Sequence, residues 1–495
     1  MLKLKNYCIG FSLALSGLVF GQGAISTVSY PQMYENQVAN SPKTSSTGTL
    51  TSSTTDVGTL SPKERIELNI STLMNDPVLR NANWGFVVYD PKTKKVIASH
   101  NEDKPLIPAS TTKLLTTEAA LALLGEKFRW LTQLEHSGEI DENGILQGNL
   151  YLIGSGDPSL GTNKAGAGTY SLILSDFIQA LKEKGIKKVN GDIIIQTAVF
   201  KENKIERLPE NIVWLEQKNY FLPVGSTRDV DPKKEKFVVK QTGPATASKK
   251  YFYISPYTNK IVYTDEYSGG VLTTKLPDPP AYLANKMRET MVKSGVGITG
   301  KVVTKTIEAE PEIRIPIVTF RSPTLNDIMY YTNQRSDNGL AESTLRMVGF
   351  QKLGDQTLES GRQVVRDHLA ASNFIMDGFN YIDGSGLSRA HSVTPMAQVR
   401  FLTSLMDKNY YKSFYDSLPI GGQSGTLKSM FAGSGYGNVF AKTGTLNGVK
   451  TLAGYLKTQS GKTLVFSLLI NNYSGGVSQV KTKMEQLLEP VLNYN

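Results

Sequence analysis

The chain has 495 residues, 40% hydrophobic and 20% charged, which is too long for one compact core and enough for two or three domains. Its net charge is +10, but the basic residues are scattered and the densest cluster, KKEKF at 233–237, carries its own glutamate. That pattern excludes a nucleic-acid-binding stripe, while attraction to an anionic envelope polymer stays open.

The first predicted element is a leader. Residues 1–24, MLKLKNYCIGFSLALSGLVFGQGA, place two lysines before an apolar run and end on small residues, the pattern of a secretory signal peptide cut after Gly21 or Ala24. The run is shorter than the about 20 residues a bilayer span requires. Its removal takes Lys3 and Lys5, leaving +8, and takes Cys8, leaving the mature chain without a thiol. A secreted protein without cysteines is held by its core rather than by disulfides. The expected destination is the periplasm. Residues 25–60, ending in the Ser/Thr-rich NSPKTSSTGTLTSSTTDVGTL, read as a flexible leader. No later stretch reaches 18 apolar residues, so no membrane span is expected after signal cleavage.

Folding is expected to start at Ser61-Pro62 with a helix over PKERIELNISTLM, followed by a hairpin of WGFVVYD (84–90) and KVIASHN (95–101). A helix at 110–124 stops at Gly125. Residues 132–312 hold short strands and turns with one helix at 171–184, and read as a β-rich insertion. The stretch 321–416 is mainly helical. VFAKTGTL (439–446), the turn Asn447-Gly448, VKTLAGYLKT (449–458) and KTLVFSLLINN (462–472) predict three consecutive strands, and VSQVKTKMEQLLEPVL a closing helix. The expected fold is α/β (α+β): one antiparallel sheet flanked by helices and built from both ends of the chain (61–131 and 313–495), a helical subdomain, and the inserted domain at 132–312.

Chemistry concentrates in three short motifs. Ser110-Thr-Thr-Lys113 opens the 110–124 helix, Ser336-Asp-Asn338 follows 226 residues later, and Lys442-Thr-Gly444 lies 106 residues further on, in a strand. Each pattern recurs by chance, as in Ser478 to Lys481, Ser99-His-Asn101 and Lys43-Thr-Ser45; the ordered set does not. Together they form the trio of penicillin-binding proteins and class A β-lactamases.

A serine hydroxyl needs a base to take its proton. Lys113 lies one helical turn from Ser110, and the helix after it is apolar on nearly every side, so burial disfavours the ammonium form. Lys442 is expected to add repulsion. Lys113 is therefore the candidate general base, Ser110 the nucleophile and Ser336 a proton relay. The helix N-terminus at Ser110 and the strand edge at Thr445 offer two backbone N–H groups for an oxyanion. Asn338 is expected to bind the substrate's peptide group, and Lys442, Thr443, Gly444 and Thr445 to form the carboxylate-binding stretch. Asp157 reads as a turn residue, and Gly384 and Gly386 as turn-shaping glycines. His100, His136, His368 and His391 form no metal signature, and neither metal nor cofactor is expected.

PASTTKL (108–114), GSGDPSL (154–160), SDNGLAE (336–342), DGSGLSR (383–389) and AKTGTLNGVKTLAGYL (441–456) together resemble the class C low-molecular-mass penicillin-binding proteins, the D-alanyl-D-alanine carboxypeptidase/endopeptidase family, over residues 62–492. The resemblance implies a penicillin-binding transpeptidase-like domain interrupted by a large insertion between the first two motifs. It also implies cleavage of peptidoglycan stem peptides through an acyl-enzyme at Ser110, with β-lactams trapped there and Arg389 touching the substrate's side arm. That family often carries an acidic residue after a tryptophan in the insertion; here VWLEQKNYF offers Trp214 and Glu216, with Glu216 reading as a surface glutamate. The competing readings are a β-lactamase, for which no deacylating glutamate stands out, and a silent wall-binding protein, against which the intact motifs speak.

Overall fold

The computed structural model describes residues 60–197, 279–305 and 313–494, together with the backbone of short strands between 212 and 263. The proposed signal peptide, nearly all of the leader, and Glu216 lie outside the described residues.

Five antiparallel strands make the sheet that carries the site, in the order 439–446, 449–457, 463–471, 83–90, 95–100. The two ends of the chain thus meet in mid-sheet, where Asn83 pairs with Asn471 and Tyr89 with Val465. Strands 449–457 and 463–471 are buried along nearly their whole length because helices cover both faces. Helices Pro62–Met74 and Val477–Leu492 cover one, packing Ile66, Ile70, Leu487 and Leu488 against Leu452, Phe466 and Leu468. On the other, Lys113–Leu124, Leu325–Arg335, Asn338–Leu353 and Pro395–Leu405 enclose a second core around Leu115, Ile328, Leu345, Leu402 and Tyr455. The first helix starts where expected because Ser61 and Glu64 form a reciprocal capping box.

Residues between Trp130 and Ser322 build a second sheet, in the order 302–305, 193–197, 150–154, 131–136, 315–321. Its first three strands run parallel and the remaining pairs antiparallel. Helices Tyr170–Glu183 and Pro279–Lys293 pack on it through Ile173, Phe177, Leu181, Met287 and Met291. The second of these helices corrects the expectation of a single helix in the region. Its signal was present: two prolines at the start, then Leu283, Ala284, Met287 and Met291 at helical spacing.

Candidate active site

The helix expected from residue 110 is α-helical only from Lys113; Ala109–Thr112 form a 3₁₀ turn. Ala109 sits in the left-handed region, at φ +47°, uncommon for a residue with a side chain. Two hydrogen bonds hold its neighbour Pro108. Thr451 Oγ1 and Thr111 Oγ1 donate to the Pro108 carbonyl at 2.7 and 2.8 Å. A Cβ on Gly386 would lie 1.9 Å from the Ala109 carbonyl oxygen, and one on Gly444 would lie 2.9 Å from the Ser110 nitrogen. Two glycines from distant motifs therefore give the serine turn its space, and the backbone of strand 439–446 comes right up to Ser110.

The motifs are wired together by their lysines. Lys113 is fully buried. Its Nζ reaches Asn338 Oδ1 at 2.7 Å, the Ser385 carbonyl at 2.7 Å and Ser110 Oγ at 3.2 Å. Lys442, also fully buried, donates to Ser336 Oγ at 2.8 Å and to the Thr443 carbonyl at 2.9 Å. Ser110, Ser336 and Asn338 stay half-buried at the mouth and Thr445 is exposed. Ser336 takes the left-handed conformation, φ +56°, between two helices, which presents its hydroxyl to Lys442.

Burial pulls the Lys113 ammonium down, Glu342, Asp383 and Asp337 push it back up, and the balance lies at about 8. Burial and then the Lys113 charge hold Lys442 well below the usual lysine range, the repulsion expected between the two lysines.

Two of those acids were not singled out in the sequence. Glu342, half-buried on helix Asn338–Leu353, accepts from the Gly384 and Ser385 N–H groups, each at 3.0 Å. Asp383 accepts from the N–H groups of Ser385 (3.2 Å), Gly386 (2.5 Å), Leu387 (3.2 Å) and Ser388 (2.8 Å) and from the His391 ring (3.0 Å). Burial pushes its carboxyl up, but His391 and these N–H groups outweigh it and leave Asp383 at about 2. Together they fold DGSG into the turn that aims the Ser385 carbonyl at Lys113. An acidic residue beside two glycines was the available signal.

Asp157 makes a turn, accepting from Ser159 N and Oγ at 2.8 and 2.6 Å. From the following loop Lys164 pairs with Asp337 at 2.7 Å, tying the segment after Asp157 to the Ser336–Asn338 turn. Arg389 is exposed, and its Nη1 donates to the Asn447 carbonyl at 2.9 Å, beside the hairpin tip that follows Thr445.

Residues 66–231 and 263–491 match the family model described as the D-Ala-D-Ala carboxypeptidase 3 (S13) family. The chain belongs to that family. As an S13 member it is a serine-type D-Ala-D-Ala carboxypeptidase, a hydrolase. D-alanyl-D-alanine carboxypeptidase DacB of Haemophilus influenzae is 27% identical, with 85% of this chain and 92% of that protein aligned. D-alanyl-D-alanine carboxypeptidase of an Actinomadura species is 28% identical, over 82% and 81%. The crystal structure of penicillin binding protein 4 (dacB) from H. influenzae superposes with a TM-score of 0.65, covering 86% of this chain and 99% of that one at 24% identity, and shares the fold. The same protein complexed with a β-lactam matches with a TM-score of 0.61 at 26% identity, over 86% and 97%. No helix among the described residues is long and apolar enough to cross a membrane.

Proposed function

We propose that this S13 enzyme works in the periplasm on peptidoglycan stem peptides, releasing a terminal D-alanine or opening a D-Ala cross-link through an ester on Ser110. The observation that carries this reading is the environment of the Lys113 amine. An ammonium has three N–H donors and a neutral amine two, with a lone pair. Asn338 Oδ1 and the Ser385 carbonyl take the two short bonds, so a neutral Lys113 turns its lone pair to Ser110 Oγ, the longer contact at 3.2 Å. At about 8, roughly one molecule in ten holds Lys113 neutral at pH 7.

Lys113 then takes the hydroxyl proton as Ser110 Oγ attacks the carbonyl carbon of the scissile amide. The backbone N–H groups of Ser110 and Thr445 receive the oxyanion. Ser336, bonded to Lys442, relays the proton held by Lys113 to the departing amine, which leaves as the C–N bond breaks, and Lys113 is neutral again. Water repeats the attack on the ester and frees Ser110. Asn338 gives its carbonyl oxygen to Lys113 and keeps its amide N–H groups for the substrate peptide, while Lys442, Thr443, Gly444 and Thr445 bind the carboxylate of the leaving residue. Arg389 lies at the rim, where a side arm would pass. A β-lactam enters as a strained amide and stays as a slowly released ester.

Labelling with a fluorescent penicillin, together with mass analysis of cross-linked muropeptides after incubation, tests this. Wild-type protein is expected to be labelled and to release D-alanine, monomers or both, and Ser110→Ala to do neither. Persistent labelling or product release in Ser110→Ala would overturn it.

A further inference from the structure

Thr443 and Thr445 alternate with Lys442 and Gly444 along strand 439–446, so the two hydroxyls share one face of the sheet. Directly across the ladder from Thr445 is Lys450, on that same face. Its side chain lies almost wholly inside the protein, with the residue 4% exposed, and its Nζ donates to Thr445 Oγ1 at 2.6 Å. Among the described residues no carboxylate forms an ion pair with it. The charged neighbour that acts on it is another cation, Lys481 of the terminal helix, and Lys450 in turn acts on Lys442. Burial and then Lys481 bring Lys450 down to about 8, which leaves it mostly charged at pH 7. A buried cation without a counter-ion is costly and is retained where an anion completes it.

We propose that Lys450 is a positioning and specificity residue for the carboxylate carried by the leaving group. Its ammonium occupies Thr445 Oγ1 as an acceptor, which turns the Thr445 hydroxyl proton outward, and its unpaired charge favours an anion at Thr443 and Thr445. The sequence marked Lys442, Thr443 and Thr445 for this task but not Lys450, eight residues after Lys442 on the neighbouring strand. Lys481, the lysine of the chance Ser-x-x-Lys match, adds to the same positive field. This inference rests on the acyl-transfer reading above, which puts the carboxylate at these threonines.

The test compares acylation of the full chain by benzylpenicillin and by its methyl ester, followed by intact mass. The quantity read is the ratio of the two second-order rate constants. Lys450→Met is expected to lower the acid-to-ester ratio by roughly tenfold or more, the size expected for loss of a charge-assisted contact. Lys450→Arg is expected to restore most of the ratio. Because Lys450 acts through Thr445, combining Lys450→Met with Thr445→Val should lose less than the product of the two single losses. Lys450→Gln and Thr445→Val carry the measurement if Lys450→Met melts early. A wild-type ratio in a folded Lys450 variant would overturn the role of Lys450 alone. A wild-type chain that takes no label at Ser110 would overturn this inference and the acyl-transfer reading together.

Discussion

Lys113 sits at about 8 because burial is only partly offset by Glu342, Asp383 and Asp337. In the proposed acyl transfer the neutral amine is the base, so the acylation rate is expected to rise about tenfold per pH unit below 8 and to level off above it. Glu342→Gln keeps one acceptor oxygen for the Gly384 and Ser385 N–H groups, loses the other, and removes a charge that raises Lys113. The acid limb of the acylation profile should therefore move to lower pH in that variant, as read by stopped-flow labelling from pH 5 to 9.5; an unmoved limb would deny Glu342 this influence. The lysine and serine were visible as letters three apart. Glu342 and Asp383 were not, because their roles depend on which N–H groups the fold turns toward them.

At the scale of elements, the site is where a strand, a 3₁₀ turn and a helix start meet without spare room. Gly444 is the clearest case: a Cβ there would stand 2.7 Å from the Pro108 carbonyl, 2.9 Å from the Ser110 nitrogen and 2.1 Å from Thr451 Oγ1. Two of these are backbone atoms and cannot swing aside. Gly444→Ala is expected to lower the melting temperature and to slow penicillin acylation by roughly a hundredfold, since small misplacements of reacting groups cost that much. Wild-type acylation in this variant would mean the strand and the serine turn can separate freely. The strands and the helices flanking the sheet were legible from alternation and apolar runs. The 3₁₀ turn at Ala109–Thr112 was not, since the room at the Ala109 carbonyl and the bond to the Pro108 carbonyl come from Gly386 and Thr451, in distant parts of the chain.

Over the whole molecule, buried lysines near the site shape stability. Lys113 and Lys450 lie at about 8 in the folded chain, against 10.5 for an ordinary lysine, and Lys442 shifts the same way. Between those values the unfolded chain binds more protons, so unfolding free energy should rise with pH from about 8 toward 10, by on the order of 3 kcal/mol each for Lys113 and Lys450. Above about 10 the slope should reverse. Buried Tyr381 and Tyr455 hold their protons more tightly than unfolded tyrosines do. Urea denaturation across pH 7.5 to 11 checks this, and stability flat through pH 8 to 10 would contradict the burial of these amines.

The chain's order of letters was enough to point to its family, to single out Ser110 and Lys113 as candidates for the chemistry, and to mark the main strands and helices around them. Spacing along a helix and alternation along a strand are local, and they survive in the linear text. Tertiary structure decided the parallel pairing of strands 150–154, 193–197 and 302–305, the place of helix Pro279–Lys293 on that sheet, the turn held by Glu342 and Asp383, and the meeting of Lys450 with Thr445. Each of those depends on which distant backbone comes within about 3 Å of which side chain. Only packing sets that, because hydrogen bonds and burial act over distance in space, whatever the separation along the chain.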